Sequence, residues 1–259
     1  MPESPTTLPI EPVLPRLLET LQRETGVVLQ APPGAGKTTR VPLALLHQPW
    51  LRGRRIVMLE PRRLAARAAA RWMAASLGEE VGGTVGYRVR HDSRVGPGTR
   101  MEVVTEGILT RMLLADPALE TVGLVIFDEF HERSIHADLG LALTLQTRAI
   151  LRDDLRIVVM SATLDGEPIA ALLGGSPVIT GEGRSFPVEI RHIPRGSQQP
   201  IEPAVASAVR RALAEQRGDL LVFLPGAGEI RRVGDLLADL AADVVPLHGN
   251  LSPEAQDRA

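Results

Sequence analysis

The sequence predicts an α/β fold, a parallel sheet with helices on both faces, and three observations carry that expectation. Short apolar runs such as Val27-Val28-Leu29, Ile56-Val57-Met58-Leu59 and Leu124-Val125-Ile126-Phe127 recur along the chain, as strands covered on both faces do. Longer segments with apolar side chains at helical spacing separate them. A glycine-bearing turn, Gln30-Ala31-Pro32-Pro33-Gly34-Ala35-Gly36-Lys37-Thr38-Thr39, joins the first run to the segment after it.

In order, residues 1–10 are proline-rich and expected to be loose, and 11–24 carries Leu14, Leu17, Leu18 and Leu21 at helical spacing. The first strand, the turn and a helix through Val41-Pro42-Leu43-Ala44-Leu45-Leu46 follow. A second strand covers 54–59, Glu60-Pro61-Arg62-Arg63 ends it, and an alanine-rich helix runs over 64–77. Gly82-Gly83 and Gly96-Pro97-Gly98 punctuate a middle that contains Val85 to Arg90. A strand over 101–104 leads to Thr105 as the N-cap of a helix over 106–115, which Asp116-Pro117 stops. Strand 124–127, helix 135–151 and strand 157–160 complete the alternation. After a linker, Gly181-Glu182-Gly183-Arg184-Ser185, strands are expected over 188–193, 220–224 and 244–249, with helices over 201–216 and from Pro225 onward.

At 259 residues and 44% hydrophobic content the chain is expected to form one large or two modest domains. It has no cysteine, so disulfides, thiolate metal sites and cysteine nucleophiles are excluded. The first residues lack a signal-peptide pattern and no apolar run reaches membrane-spanning length, so a cytoplasmic protein without a membrane partner is expected. A net charge of −2 argues against nucleic-acid binding through an overall basic field, leaving local basic clusters for that work. Lys37 is the only lysine, and it sits in the glycine-bearing turn, where a compact charge on a flexible stem suits a phosphate cluster.

That turn has the makings of a phosphate cradle. Gly34 and Gly36 let the backbone curl so that N–H groups face an anion, and the new helix turns its positive end to the same place. Gly34, Ala35, Gly36, Lys37, Thr38 and Thr39 form the expected nucleotide-binding set, with Lys37 on the terminal phosphates and the Thr38 hydroxyl on magnesium. The strict spacing has glycine where this chain has Ala31. Asp128 and Glu129, directly after an apolar strand, emerge at the same sheet edge, Asp128 to hold magnesium and Glu129 to orient and deprotonate the attacking water. His131 and His136 invite a zinc reading, but they stand at i and i+5 rather than i and i+4, so zinc is not expected. His131 is expected to link the carboxylates to whatever moves on ATP turnover. Ser161-Ala162-Thr163 follows the next strand and brings two hydroxyls to that edge. Arg62, Arg63 and Thr105 are placed to hold phosphate oxygens without reading bases.

With these residues together, the chain resembles the start of a superfamily-two helicase of the DExH kind, in the bacterial HrpB branch of the DEAH/RHA family. The resemblance implies a RecA-like domain over 1–182 and the incomplete start of a second over 187–259. It identifies 31–38 as Walker A, a motif that tolerates alanine at its first position in this family. It identifies Asp128-Glu129-Phe130-His131 as motif II, with phenylalanine in its third place, and Ser161 and Thr163 as the coupling hydroxyls of motif III. Glu60 to Arg67 resembles motif Ia and Thr105-Glu106-Gly107 motif Ib, both implied to contact a nucleic-acid backbone. Arg71 falls, by spacing, where relatives place an arginine against adenine. The resemblance thus implies ATP, Mg2+ and RNA or DNA as ligands. Phe223 to Gly226 resembles motif IV, while motifs V and VI have no counterpart in residues 1–259, so feeble ATP hydrolysis is the expectation for this stretch alone. The smaller second domain is expected to open before the first. A small-molecule kinase or ATPase would share Lys37 and Asp128 but has no use for Arg62, Arg63 and motif Ib, and a nucleotide-binding fragment without turnover is the other alternative.

Overall fold

The computed structural model describes residues 8–162, 166–183, 187–194 and 200–259. Thr163 and the linker residues Arg184 and Ser185 lie outside the described residues. The chain divides into two compact units, residues 1–185 and 186–259.

In the first unit, eight strands form one sheet: β1 (Gly26–Gln30), β2 (Arg55–Glu60), β3 (Val85–Val89), β4 (Asp92–Arg94), β5 (Met101–Thr105), β6 (Val122–Phe127), β7 (Arg156–Ser161) and β8 (Val178–Thr180). Their order is β4-β3-β5-β2-β6-β7-β1-β8. Every pairing is parallel except that of β3 with β4. Helices α1 (Leu14–Arg23), α2 (Lys37–Leu45), α3 (Arg63–Ser76), α4 (Glu106–Ala115), α5 (Ile135–Ile150) and α6 (Glu167–Leu172) accompany it.

The strands are apolar throughout because successive side chains enter two different cores. Val27 and Leu29 of β1, Ile56 and Met58 of β2, Ile126 of β6 and Val158 and Met160 of β7 pack in one layer with residues of α1, α2 and α3. Their neighbours Val28, Val57, Leu59, Val125, Phe127, Ile157 and Val159 pack in the other with residues of α4, α5 and α6. Each such side chain contributes about 1.5–3 kcal/mol by leaving water. The expected parallel α/β sheet with both faces covered is therefore present in this unit.

Three elements differ from expectation. Residues 8–10 are not loose: Ile10 is fully buried, its N–H donates to the Ala35 carbonyl at 3.0 Å, and Leu8 packs against the same core. The glycine-rich middle folds back as the antiparallel β4, and β8, reached through α6, extends the sheet past β1. The third difference is larger. The second unit contains α7 (Ile201–Glu215), α8 (Ala227–Leu236) and α9 (Pro253–Asp257), but the expected strands over 188–193, 220–224 and 244–249 are not formed. A strand exists only through its ladder partners, and no described segment pairs with these. Val188, Leu221 and Phe223 are 82%, 77% and 85% exposed. The core of this unit is the small contact of Ala206 and Val209 with Val233 and Leu237, where α7 meets α8.

Candidate active site

Parallel register sets the site. Gln30 of β1 lies opposite Ser161 of β7, Val159 of β7 opposite Phe127 of β6, and Phe127 opposite Leu59 of β2. Glu60 in turn lies opposite Thr105 of β5. The carboxyl ends of five neighbouring strands therefore deliver Thr105, Glu60, Asp128, Ser161 and the phosphate turn to one edge. With strands about 4.8 Å apart, the turn and motif Ib stand roughly 19 Å from each other along it.

The turn curls through left-handed backbone at Gly34 (φ 74°) and Gly36 (φ 97°), and a Cβ on Gly36 would stand 2.8 Å from Leu8 Cδ1. Ala31 is not among the positive-φ residues, and its N–H donates to the Ser161 carbonyl as a continuation of β1. Alanine there meets no backbone constraint that only glycine could satisfy, which removes the apparent departure. Lys37 is 3% exposed, and its Nζ donates to the carbonyls of Ala31 (2.6 Å) and Pro32 (3.1 Å). Ala35 is buried, and the Thr39 hydroxyl reaches the Gly36 carbonyl at 3.5 Å.

Thr38 Oγ1 donates to Asp128 Oδ2 at 2.5 Å, joining the turn to the end of β6, while Asp128 Oδ1 accepts from the Glu129 N–H at 2.8 Å. A magnesium ion is what the resemblance implies, and these groups fit it: a hydroxyl and a carboxylate are hard oxygen donors, and magnesium takes few protein ligands, keeping several waters. Glu129 holds left-handed backbone (φ 48°, ψ 35°), a conformation that costs a residue other than glycine about 1–3 kcal/mol. Burial raises its pKa, followed by the charge of Asp128, with Lys37 and His131 opposing. A carboxylate so shifted is better suited to accept a proton near neutral pH than an ordinary one. His131 Nδ1 accepts from the Ala162 N–H at 3.2 Å and lies 3.3 Å from Glu129 Oε2, so this ring touches both motif II and the backbone of motif III. Ser161 is 2% exposed.

Glu60, expected only as the first residue of motif Ia, is part of the same centre. It is 2% exposed and its carboxyl hydrogen-bonds that of Asp128, with Oε1 left unpartnered. Burial first, then the charge of Asp128, pushes its pKa up to about 9. Burial also raises Asp128, against the Thr38 hydroxyl, the Glu129 N–H, Glu60 and Lys37. The sequence carried half of this signal, since the runs that form β2 and β6 are both apolar and closed by an acid, while their pairing comes from the sheet order.

Towards β5 the residues are wired to the exit of motif II. Exposed Arg62 pairs with Glu132 at 3.2 Å, and Ser134, which caps α5 by accepting from the Ala137 N–H, donates to Glu106 Oε2 at 2.6 Å. Thr105 occupies the N-cap position of α4, but its hydroxyl makes no capping bond. Arg63 and Gly107 are exposed, and an added Cβ on Gly107 would meet nothing within 4 Å. Arg71 is half-buried on α3.

A phosphate-cradling turn after β1, with a Thr–Asp pair joining it to β6, defines this unit as a P-loop nucleoside-triphosphatase fold. Residues 12–172 match the DEAD/DEAH box helicase family, and the chain belongs to that family. It is 52% identical over 257 residues to the ATP-dependent RNA helicase HrpB of Escherichia coli (strain K12), covering 98% of this chain and 32% of that relative. It is 34% identical over 268 residues to the ATP-dependent RNA helicase HrpA of the same organism, covering 98% of this chain and 20% of that one. The crystal structure of the E. coli DEAH/RHA helicase HrpB superposes with a TM-score of 0.90 at 52% identity, over 97% of this chain and 32% of that one. The chain thus spans about a third or less of the length of these relatives.

Proposed function

We propose that this chain carries the ATP-binding and hydrolysing centre of a nucleic-acid translocase, and that nucleotide turnover at one end of the sheet edge is coupled to RNA or DNA held at the other. The observation that carries the reading is the Thr38–Asp128 bond beside buried Lys37, on an edge that also presents Arg62, Arg63, Thr105, Glu106 and Gly107. In this reading Gly34 to Thr39 hold the phosphates, and Lys37 leaves the Ala31 and Pro32 carbonyls for the terminal phosphate oxygens. Thr38 and Asp128 hold Mg2+, which when bound neutralises charge on those oxygens. Glu129 orients the attacking water and takes its proton, while His131 passes the change to Ser161, Ala162 and Thr163. Backbone contacts from an arginine cluster and a helix N-terminus bind strands without reading sequence, as a motor requires. The 52% identity to a protein named an ATP-dependent RNA helicase supports the same reading and favours RNA. The domains are proposed as 1–182, the first RecA-like domain, and 187–259, part of a second.

Calorimetry with MgATP tests it. Lys37→Ala is expected to weaken binding tenfold or more, as loss of a charge-assisted contact worth about 1.5–3 kcal/mol implies. Glu129→Gln is expected to bind as the parent does and to hydrolyse nothing. Unchanged affinity in Lys37→Ala would refute the cradle, and failure of both RNA and DNA to alter ATP turnover would refute the coupling.

A further inference from the structure

Two glutamates are buried in the sheet, and their company differs. Glu102 of β5 is 1% exposed and is answered by two cations, Arg88 and Arg55. Glu60 of β2, almost as deeply buried, is given a second acid: its carboxyl hydrogen-bonds that of Asp128, and its Oε1 has no partner. The register brings the two acids together. Leu59 lies opposite Phe127, and the ladder runs one step further, where the Asp128 N–H donates to the Leu59 carbonyl at 3.0 Å. Met58 and Ile126, two residues before Glu60 and Asp128, belong to the core layer that also contains Val41 and Leu45 of α2. By strand alternation both carboxyls leave the sheet on the face that α2 covers, from which Thr38 reaches Asp128. Packing gives no reason for the second acid, because apolar side chains of similar size in place of a buried ionised cluster are often neutral or stabilising. A buried acceptor without a partner likewise calls for an explanation.

We propose that Glu60 is a positioning residue of the magnesium centre: it fixes the Asp128 carboxyl in the orientation that meets Thr38, and its Oε1 is the acceptor for a water of the ion's shell. The proposal rests on the reading above in which Thr38 and Asp128 hold Mg2+, and it adds the group behind them. Asp128 Oδ2 accepts from Thr38 and Oδ1 from the Glu129 N–H, so Glu60 is the third group that holds this carboxyl. Carboxylates that bind metals are themselves oriented by hydrogen bonds, and loss of such a partner typically costs about 10- to 100-fold in metal affinity. Magnesium keeps several waters when it binds through one or two carboxylates, so a buried centre has to offer those waters acceptors. Glu60 offers one without touching the ion. Direct ligation by Glu60 is the competing arrangement, and it would require the residue to give up its bond to Asp128.

Calorimetry of the 259-residue protein with a non-hydrolysable ATP analogue, once at saturating Mg2+ and once in EDTA, separates the metal from the nucleotide. In the parent, magnesium is expected to tighten binding, and Asp128→Asn is expected to lose that gain. Glu60→Leu is expected to reduce the gain about tenfold or more while affinity in EDTA stays as in the parent, which also shows that the cradle is folded. Glu60→Met serves the same purpose should leucine disturb the sheet. Glu60→Gln is expected to keep the gain, because its amide donates to Asp128 and its carbonyl takes the place of Oε1. If Glu60→Leu keeps the full gain while Asp128→Asn loses it, this proposal is overturned with the magnesium reading intact. If the parent shows no gain, the magnesium reading falls and takes this proposal with it. Equal weakening of Glu60→Leu with and without magnesium makes Glu60 a support for the cradle and overturns the proposal. A loss in Glu60→Gln as large as in Glu60→Leu overturns it too, since the charge itself would then be needed and Glu60 would be a ligand.

Discussion

Val27-Val28-Leu29 in the first unit and Leu220-Leu221-Val222-Phe223-Leu224 in the second are the same kind of sequence: an apolar β-prone run, a turn bearing proline and glycine, then a helix. The first is wholly buried between β7 and β8. The second is unpaired and 39–85% exposed at Leu221, Val222 and Phe223. Composition marks a segment as fit to be a strand, while ladder partners and a core on each face make it one. The helices tell the complementary story. α7 and α8 form without a sheet because their hydrogen bonds are internal, and they need only a small apolar contact and exposed ion pairs such as Arg210–Asp239 to associate.

The largest expected consequence of this contrast is in amide exchange. Protection tracks the free energy of local opening, so amides of β1, β2, β6 and β7 should exchange roughly a thousandfold or more slowly than those of 220–224 and 244–249. Comparable protection in both sets would break the comparison. Next is packing. Leu29→Ala should destabilise the first unit by about 2–5 kcal/mol in urea unfolding followed by tryptophan emission, both tryptophans lying there. Leu221→Ala should change far-UV dichroism and exchange of 187–259 negligibly, because an exposed leucine leaves no cavity.

A further contrast concerns what the sheet edge stores. Glu60 has a folded pKa of about 9, above its ordinary 4.5. The unfolded chain therefore binds fewer protons than the folded one between those values. Glu60's contribution is fully present below about pH 4.5 and is lost as pH rises towards 9, at no more than about 1.4 kcal/mol per pH unit. Glu60→Gln, which keeps a donor towards Asp128, should flatten this slope in urea midpoints measured from pH 5 to 8. An unchanged slope would mean that another group carries it.

Much of the first unit was legible because its signals are local. The Val-Ile-Leu runs gave β1, β2, β6 and β7, the Lys37 turn fixed their common edge, and Asp116-Pro117 stopped α4 where expected. β8 and α6 were not singled out, being a three-residue strand and a six-residue helix too short to establish a period. Ile10 escaped notice among prolines because its burial depends on a carbonyl in the phosphate turn, a contact between residues that no periodicity links. Glu60 was legible as a motif residue but not as a buried acid, since that depends on β2 and β6 being neighbours although β3, β4 and β5 intervene in the chain. The second-unit runs misled for the opposite reason: their local pattern was complete, and what they lacked was other strands.

The left-handed backbone at Glu129 sets two pressures on one residue. Glycine or asparagine would occupy that conformation at lower cost, so an unbiased search for tougher variants of this fold should alight on position 129 early. Any such replacement gives up the carboxylate proposed to receive the water's proton. A lineage selected for endurance alone would thus drift towards a smoother bend that has lost the group on which the proposed turnover depends.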